Sequence, residues 1–188
     1  MYIRDAKKRE EVWLLDNLDS FGFEDPAFRS RDYVIALDPD AGRKVGFGRL
    51  RVHGGDEEFC ELTCIGVLEE WRNRGVGAHI VERLVDLARE QEFDEVVAFT
   101  GETGYFEQFG FETVDPESLT DTQTERLAVI RETMDPEAVP LVAEVGRVTI
   151  PRRLRHRFVP DETEAEERPE DFGIDPDTAT YKYDTGRH

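Results

Sequence analysis

The segment 62–88 constrains the fold of this chain more than any other. It contains a short apolar run, then a basic and glycine-rich turn, then an amphipathic pattern. Residues 62–67 are apolar and β-branched, and the run is too short for a helix, so it predicts a buried strand. Beyond the turn, apolar residues recur at helical spacing with charged residues between them, which predicts a helix with one buried face. The residues expected on that face are Ile80, Val81, Leu84, Val85 and Ala88.

The turn between this strand and this helix has the composition of an anion site. It carries Arg72 and Arg74, and Gly75 and Gly77 fall where the helix begins. The first N–H groups of a helix have no partner inside the helix, and glycines let the backbone approach phosphate oxygens closely. Glycine also serves turns for its backbone angles alone. The spacing by itself leaves polyphosphate binding and a purely structural turn open.

Two motifs carry a family resemblance. Residues 72–77, Arg-Asn-Arg-Gly-Val-Gly, resemble the Arg/Gln-x-x-Gly-x-Gly/Ala acetyl-CoA signature of the GNAT superfamily of N-acetyltransferases. Residues 105–111, Tyr-Phe-Glu-Gln-Phe-Gly-Phe, resemble the aromatic-x-x-x-Gly-Phe element that ends the conserved half of that family. The resemblance covers residues 1–115 and is strongest over 61–111. It implies a mixed α/β fold: a mainly antiparallel sheet, helices on both faces and a splayed cleft for acetyl-CoA.

The resemblance also implies which residues contact acetyl-CoA. The backbone amides of residues 74–78 would bind the pyrophosphate. The main chain of residues 65–67 would pair with the pantetheine arm, because an unpaired strand edge offers free N–H and C=O groups. The cofactor-binding residues expected on this basis are Ile65, Gly66, Val67, Arg72, Asn73, Arg74, Gly75, Val76, Gly77, Ala78 and Phe106.

A narrower resemblance points to the acceptor. Residues 61–67, Glu-Leu-Thr-Cys-Ile-Gly-Val, are similar to the Glu-Leu-x-Cys-Leu-x-Val strand of amino-acid N-acetyltransferases of the N-acetylglutamate synthase type. Residues 99–106 resemble a later segment of that group, but they are one residue shorter, with Gly101 at a hydroxyl position and Tyr105 in place of Trp. The sequence has no amino-acid-kinase domain, as in short members of that group. An amino acid is therefore the acceptor implied.

The chemistry of acetyl transfer requires a proton acceptor and favours a proton donor. An amine with a pKa of about 10 is protonated near neutral pH and must lose a proton before it attacks a thioester. The resemblance implies Glu61 as this base, directly or through a water, and a solvent-facing strand Glu is the alternative. Thr100 and Tyr105 compete as donors to the departing thiolate. Tyr105 lies one place before the usual acid tyrosine of the family, a position taken by Phe106, and both hydroxyl residues could instead pack against the cofactor. Main-chain N–H groups near residues 65–67 would stabilise the oxyanion.

The charge of the chain excludes several partners. The net charge is −19, and the only lysines are Lys7, Lys8, Lys44 and Lys182. Such a surface repels nucleic acid and anionic lipid. An acidic, lysine-poor composition also resembles halophilic proteins, in which concentrated cations screen the repulsion, and this interpretation predicts unfolding in low salt. The alternative is an ordinary acidic protein with an acidic tail.

Length and residue patterns give further expectations. We expect an acetyltransferase-like domain over residues 1–158 and an acidic C-terminal tail over 159–188, flexible or loosely docked. We expect a cytoplasmic protein, because no apolar run could span a membrane and no signal peptide precedes the first strand. We expect no metal: Cys60 and Cys64 could share one strand face but lie too far apart for a disulfide, and the histidines form no ligand pattern.

The remaining elements are predicted from periodicity. Strands are expected over residues 2–4, 32–37, 44–52, 95–100 and from 59 onward, with one or two more within 139–150. Helices are expected over residues 7–18, with Val12, Leu14, Leu15 and Leu18 inward, over 104–109, and over 122–134, with Leu127, Val129 and Ile130 as its apolar residues. The loop 19–30 is where the family has its variable acceptor-binding segment.

Two questions stay open at the level of sequence. The basic cluster of Arg147, Arg152, Arg153, Arg155 and Arg157 could reach the 3′-phosphate of CoA or an acidic acceptor, or it could be a solvated face paired with acids. The function could be acetylation of a small amine such as an amino acid, acetylation of protein N-termini or lysines, or non-catalytic sensing of acyl-CoA. The sequence identifies neither the acceptor nor the oligomeric state.

Overall fold

The computed structural model describes residues 1–155, and within them one seven-stranded sheet has the strand order β1-β2-β3-β4-β5-β7-β6. The strands are β1 (Tyr2–Asp5), β2 (Tyr33–Leu37), β3 (Lys44–His53), β4 (Phe59–Val67), β5 (Glu95–Thr100), β6 (Glu112–Thr113) and β7 (Val139–Glu144). The α-helices are α1 (Glu11–Phe21), α2 (Val76–Glu90), α3 (Thr103–Glu107), α4 (Asp121–Thr133) and α5 (Arg152–Arg155). Neighbouring strands are antiparallel except β4 and β5, which are parallel. The expected mixed, mainly antiparallel α/β fold is confirmed.

Helices cover both faces of this sheet. The buried face of α2 packs on one side, and all five residues predicted to face inward there are buried. Gly46 and Gly48 of β3 let α2 approach closely, since a Cβ at these positions would lie 2.9 and 2.6 Å from carbon atoms of Ile80. Leu14 and Leu18 of α1 pack on the opposite face, and α4 forms a third apolar cluster with β5.

A bulge in β4 opens the sheet. Cys64 has a φ of 51°, and the pairing of β4 with β3 shifts register next to it. Beyond the bulge the side chains change face, so that Ile65 joins Leu62 on the α2 side where strict alternation would separate them. The pairing of β4 with β5 is confined to Glu61 and Val97. The two strands therefore separate beyond this point, and the splayed cleft expected from the sequence is confirmed.

The same bulge corrects the prediction for the two cysteines. Cys60 belongs to the apolar cluster under α2, whereas Cys64 belongs to the cluster under α1, so the two do not share a strand face. Both are buried and free. Within residues 1–155, no group of three or more His, Cys, Asp or Glu side chains is arranged to hold a metal ion. No helix in this range is both long and apolar enough to cross a membrane.

Two helices differ from the periodicity prediction. A 3-10 turn over Lys8–Glu10 precedes α1, which continues to Phe21. The prediction that Val12 and Leu15 face inward is wrong, because their exposed fractions are 70% and 43%. The buried stripe is instead centred on Leu14, Leu18 and the partly buried Phe21, and the helical period puts Val12 on the far side of that stripe.

The C-terminal elements are also shifted. A capping box between Thr120 and Gln123 starts α4, in which Leu127 and Ile130 are buried as expected. Val129, also apolar, is 43% exposed, whereas the charged Arg126 is buried. The region 139–150 holds the single strand β7 followed by a 3-10 turn, and it pairs with β6, which is too short to leave a pattern. The predicted tail, 159–188, lies outside the described residues.

Candidate active site

A cavity of about 710 Å³ occupies the opening between β4 and β5. Residues 62–65 and 67 form one wall, residues 98–100 form the other, and the turn before α2 closes one end. Most of the residues predicted to bind the cofactor or to act in catalysis meet here. Those that line the cavity are Ile65, Val67, Arg72, Asn73, Gly75, Gly77, Ala78, Thr100, Tyr105 and Phe106.

Four predicted site residues do not line this cavity. Val76 faces the core under α2, with 1% of its surface exposed. Gly66 lies against Phe47, whose ring leaves no room for a Cβ. The Arg74 guanidinium stacks 4.9 Å from the centroid of the Trp71 ring. The fourth residue is Glu61, which is completely buried beside the cavity.

The turn before α2 presents unpaired amides. Asn73 and Gly75 have φ values of 59° and 82°, so the backbone is twice left-handed immediately before the helix. Gly75 is the N-cap residue and offers no side-chain cap, and the first bond of the helix is donated by the His79 amide to the Gly75 carbonyl. The amides of residues 76–78 therefore have no partner within the helix. Together with the helix dipole they form an anion site at the end of the cavity.

Arg72 fixes the shape of this turn. Its Nε donates a 3.2 Å hydrogen bond to the Val67 carbonyl at the end of β4, and its guanidinium lies 5.8 Å from the centroid of the Phe21 ring. The Val67 carbonyl is one of the groups expected to pair with pantetheine, and Arg72 uses one of its two acceptor positions.

Tyr105 lies across the glycine turn. A Cβ on Gly77 would overlap the Tyr105 hydroxyl, so a larger residue at this helical position would have to displace the Tyr105 ring. The Tyr105 ring is 37% exposed, yet its hydroxyl end is covered, and burial raises the pKa of the phenol to about 12. The ring packs edge-on against Phe106 and Phe109, with centroid distances of 5.6 and 5.2 Å. Tyr105 is therefore a protonated hydroxyl near neutral pH.

Glu61 is enclosed by two cationic or titratable neighbours. Its Oε2 accepts a 2.8 Å bond from Arg126 Nε and lies 2.7 Å from His53 Nε2, while Oε1 accepts a 3.1 Å bond from Arg126. Burial acts to raise the pKa of Glu61. The hydrogen bonds from His53 and Arg126 and the charge of Arg126 outweigh burial and lower that pKa below its ordinary value. Glu61 is thus an ionised, buried carboxylate rather than a solvent-facing strand residue.

A second cavity, of about 490 Å³, lies beside this carboxylate. Its wall is formed by Arg49, Arg51 and His53 of β3, by the loop residues 26–29, and by Thr122 of α4. In the antiparallel register Arg51 stands opposite Glu61, and Arg49 stands opposite Thr63 of the first cavity. Opposed residues on neighbouring strands point to the same face. The two cavities are therefore adjacent on the face of the sheet covered by α4.

Sequence reasoning missed the residues of this second cavity. Arg49, Arg51 and His53 alternate along β3, so the spacing places them on one face, and this pattern could have indicated a basic strand face. Arg126 carries no comparable local signal, since its contact with Glu61 joins residues 65 positions apart.

The C-terminal arginine cluster has partners close by. Arg147 pairs with Glu144 at 2.9 Å, Arg155 pairs with Glu82 at 2.6 Å, and Arg153 bonds Gln108. These contacts favour the solvated, paired face among the two interpretations. Arg157 lies outside the described residues.

Comparisons with known proteins agree with this geometry. The sequence profile of the acetyltransferase (GNAT) family matches residues 2–111. An amino-acid acetyltransferase of Mycobacterium tuberculosis is 31% identical over 91 residues, which cover 48% of this chain and 51% of that protein. An uncharacterized N-acetyltransferase of Chlorobaculum tepidum is 32% identical over 60 residues, or 32% of this chain and 39% of that protein. The chain thus spans about half, or less, of the length of these curated relatives.

Solved structures share the fold at lower identity. Rv2747 from Mycobacterium tuberculosis, in complex with CoA and NLQ, superposes with a TM-score of 0.63 at 20% identity, over 77% of this chain and 99% of that one. A second structure is N-acetylglutamate synthase from Neisseria gonorrhoeae in complex with coenzyme A and N-acetyl-glutamate. It superposes with a TM-score of 0.61 at 20% identity, over 77% of this chain and 35% of that one.

Proposed function

Since the chain belongs to the acetyltransferase (GNAT) family, we propose that it is an acetyl-CoA-dependent N-acetyltransferase acting on the amine of a small molecule, with an amino acid as the favoured acceptor. The observation that carries the proposal is one continuous cavity that joins unpaired helix amides to the opening between β4 and β5. Its volume of about 710 Å³ is in the range of small-molecule sites.

Acetyl-CoA would bind along this cavity with its phosphates at the turn. The amides of residues 76–78 would donate to the pyrophosphate, and Gly77 would let it approach the helix. The pantetheine arm would lie along residues 65–67, where β4 has no neighbour on the β5 side. The two solved neighbours that contain CoA share this fold, and they support this choice of donor by fold alone.

Strand register supports a position for the thioester. The parallel strands are aligned at Glu61 and Val97, so Thr100 of β5 is level with Cys64 at the bulge. A thioester at the bulge would have the amides beyond Cys64 near its developing oxyanion. The Thr100 hydroxyl would donate a hydrogen bond to the departing thiolate, whose pKa of about 8.5 makes it a fair leaving group. Tyr105, against Gly77, would instead cover the phosphate end of the site.

Glu61 is the proposed proton acceptor for the ammonium group of the acceptor, directly or through a water. Arg126 keeps it ionised, which a base requires. His53 shares the same carboxylate oxygen and lines the second cavity, so it offers the proton a route out of the site. The neutral amine that remains attacks the thioester, and the nitrogen then loses its second proton readily because its new bond to carbon makes it far more acidic.

Acetyl-CoA turnover decides between the three functions that the sequence left open. Thiol release would be measured in molar KCl with a panel of amino acids, with peptides bearing free N-termini or lysines, and with no acceptor. We expect release with amino acids alone. Release only with peptides would identify a protein acetyltransferase, and tight CoA binding by calorimetry with no release would identify a sensor. Either result would contradict the proposal.

The base is tested by the variant Glu61→Gln, with CoA binding as the check on folding. We expect a large loss of kcat/KM with a changed profile across pH 7 to 9, and an unchanged Kd for CoA. A variant that keeps the kcat/KM of the parent over this range would rule out Glu61 as the base.

A further inference from the structure

The second cavity is lined by one arginine, Arg51, that forms no ion pair with an acidic residue of the described chain. Around it, Arg29 bonds Asp32 at 2.8 Å and Arg49 bonds Asp25 at 2.6 Å and Asp32 at 3.1 Å. Arg126 forms an ion pair with Glu61 at 2.8 Å. Within residues 1–155, Arg51 has no ion pair, and its Nη1 is buried without a hydrogen-bond partner. The acids beside Arg51 are therefore already engaged elsewhere.

The balance of charge in this cluster is positive by one. Four arginines face three carboxylates, and four minus three leaves one uncompensated positive charge. The residues counted are Arg29, Arg49, Arg51 and Arg126 against Asp25, Asp32 and Glu61. This is an excess of positive charge in a chain whose net charge is −19.

The free guanidinium nitrogens point to a missing ligand. A buried donor without an acceptor is costly, so such a group requires a partner such as a ligand, an ion or an ordered water. Arg49 Nε is a second buried donor without a partner, and Arg49 itself is 3% exposed. Burial and the repulsion of Arg126 and Arg49 lower the pKa of Arg51, and they outweigh the charges of Glu61 and Asp25, which act to raise it. Both arginines line the same cavity.

We propose that the second cavity is the carboxylate subsite of the acceptor, in which Arg51 binds the carboxylate of the molecule whose amine is acetylated. The inference rests on the proposed function. A single uncompensated charge suits a carboxylate, which carries one negative charge and accepts the paired N–H groups of a guanidinium. A phosphate would bring more negative charge than the cluster leaves free.

The register gives the distance over which the acceptor must extend. Arg51 stands opposite Glu61, and opposed Cα atoms of antiparallel strands lie about 4.5–5.5 Å apart. Thr63, two residues further along β4, lines the donor cavity. The two side chains therefore extend from neighbouring positions on one face of the sheet. An acceptor that places its carboxylate on Arg51 and its amine beside Glu61 would need both groups close together, as they are in an amino acid.

The test compares Arg51→Met with the parent on matched acids and amides. The probes are L-alanine, L-methionine and L-glutamate, each with its α-amide, and L-glutamine as the side-chain amide of glutamate. We expect the parent to favour the acid over an amide by about 10- to 100-fold in kcat/KM, and Arg51→Met to lose this preference, because a hydrogen-bonded charge is worth that factor. The KM for acetyl-CoA and the kcat at saturation should change little.

Controls separate a lost subsite from a damaged fold. Arg51→Lys keeps the charge and should recover part of the preference. Arg89→Met makes the same change at an exposed ion pair on α2 and should leave all constants unchanged. Without acceptor, Arg51→Met should be about as stable as the parent, because Arg51 is half-buried, forms no ion pair and has a buried Nη1 without a partner. L-glutamate should raise the Tm of the parent but not of the variant.

Calorimetric titration of the same probes into the CoA-bound protein tests the subsite without turnover. Binding of an acid that weakens at least tenfold in Arg51→Met supports it, even where no acetyl transfer is detected and the proposed function fails. Equal discrimination between acid and amide in parent and Arg51→Met, or no measurable binding of any acid by the parent, overturns the subsite.

Discussion

The ion pair between Glu61 and Arg126 allows the sharpest stability prediction. The change Arg126→Met roughly keeps the volume of the side chain but leaves His53 as the only side-chain partner of the Glu61 carboxylate among residues 1–155. Glu61 is 0% exposed and Arg126 is 7% exposed, so water cannot take over the lost hydrogen bonds. Removing one partner of a buried pair costs about 3–5 kcal/mol. In a chain of this length that corresponds to a fall in Tm of about 6–20 °C.

The assay is thermal and denaturant unfolding in molar KCl, followed by circular dichroism. The double variant Glu61→Met, Arg126→Met should recover most of the loss, because an apolar pair of similar volume carries no buried charge. The matched control is Arg89→Met, which breaks an exposed 2.6 Å pair with Asp86 and a 3.3 Å bond to the Val145 carbonyl, and it should cost no more than about 1 kcal/mol.

The same variant has a defined pH dependence. In the parent the pKa of Glu61 is lowered, so its contribution to stability is present above the ordinary value of 4.5 and is lost as the pH falls. In Arg126→Met burial dominates and raises the pKa of Glu61. Glu61 then becomes protonated as the pH falls toward 4.5, which removes the buried charge and reduces the destabilisation of the variant. The gap in stability between parent and variant should therefore narrow from pH 8 to pH 5. A loss below about 1 kcal/mol, or a gap that widens on acidification, would refute the reasoning.

Three further predictions concern the donor site and the charge of the chain. The variant Gly77→Val forces a side chain onto the Tyr105 hydroxyl and should weaken CoA binding at least tenfold by calorimetry, and unchanged binding would exclude a pyrophosphate site there. In steady-state kinetics, Thr100→Val should lower kcat by about tenfold, whereas Tyr105→Phe should mainly raise the KM for acetyl-CoA. A loss of kcat in Tyr105→Phe with a raised KM in Thr100→Val would instead make Tyr105 the proton donor. Dilution of KCl from molar to about 0.1 M should unfold the protein as followed by circular dichroism, whereas an unchanged spectrum would contradict the halophilic interpretation.

The sequence predicts best where pattern and packing coincide. Residues 62–88 form the strand, turn and helix that their composition indicates, because β-branched residues, glycines and a 3.6-residue period each favour one local structure. The cleft follows from the same segment through the family resemblance. The sequence predicts the buried face of a helix less reliably. Val12, Leu15 and Val129 are apolar yet exposed, because these helices have more apolar residues than one face can bury.

Contacts between distant residues could not be predicted in this way. The bulge at Cys64 is one residue with a positive φ, a conformation that cysteine rarely adopts and that no local pattern indicates. It separates Cys60 from Cys64 and opens the sheet. The pairing of Glu61 with Arg126, and the unpaired Arg51 beside them, depend on how α4 packs across β3 and β4, which only the three-dimensional structure provides.

Identification of the product tests the central claim most directly. Acetyl-CoA labelled in its acetyl group would be incubated with the protein and an amino acid in molar KCl, and the products analysed by mass spectrometry. The account predicts a labelled N-acetyl amino acid formed in equal amount to free CoA, and none without the amino acid. Labelled acetate alone, or label found only on peptides, would contradict it.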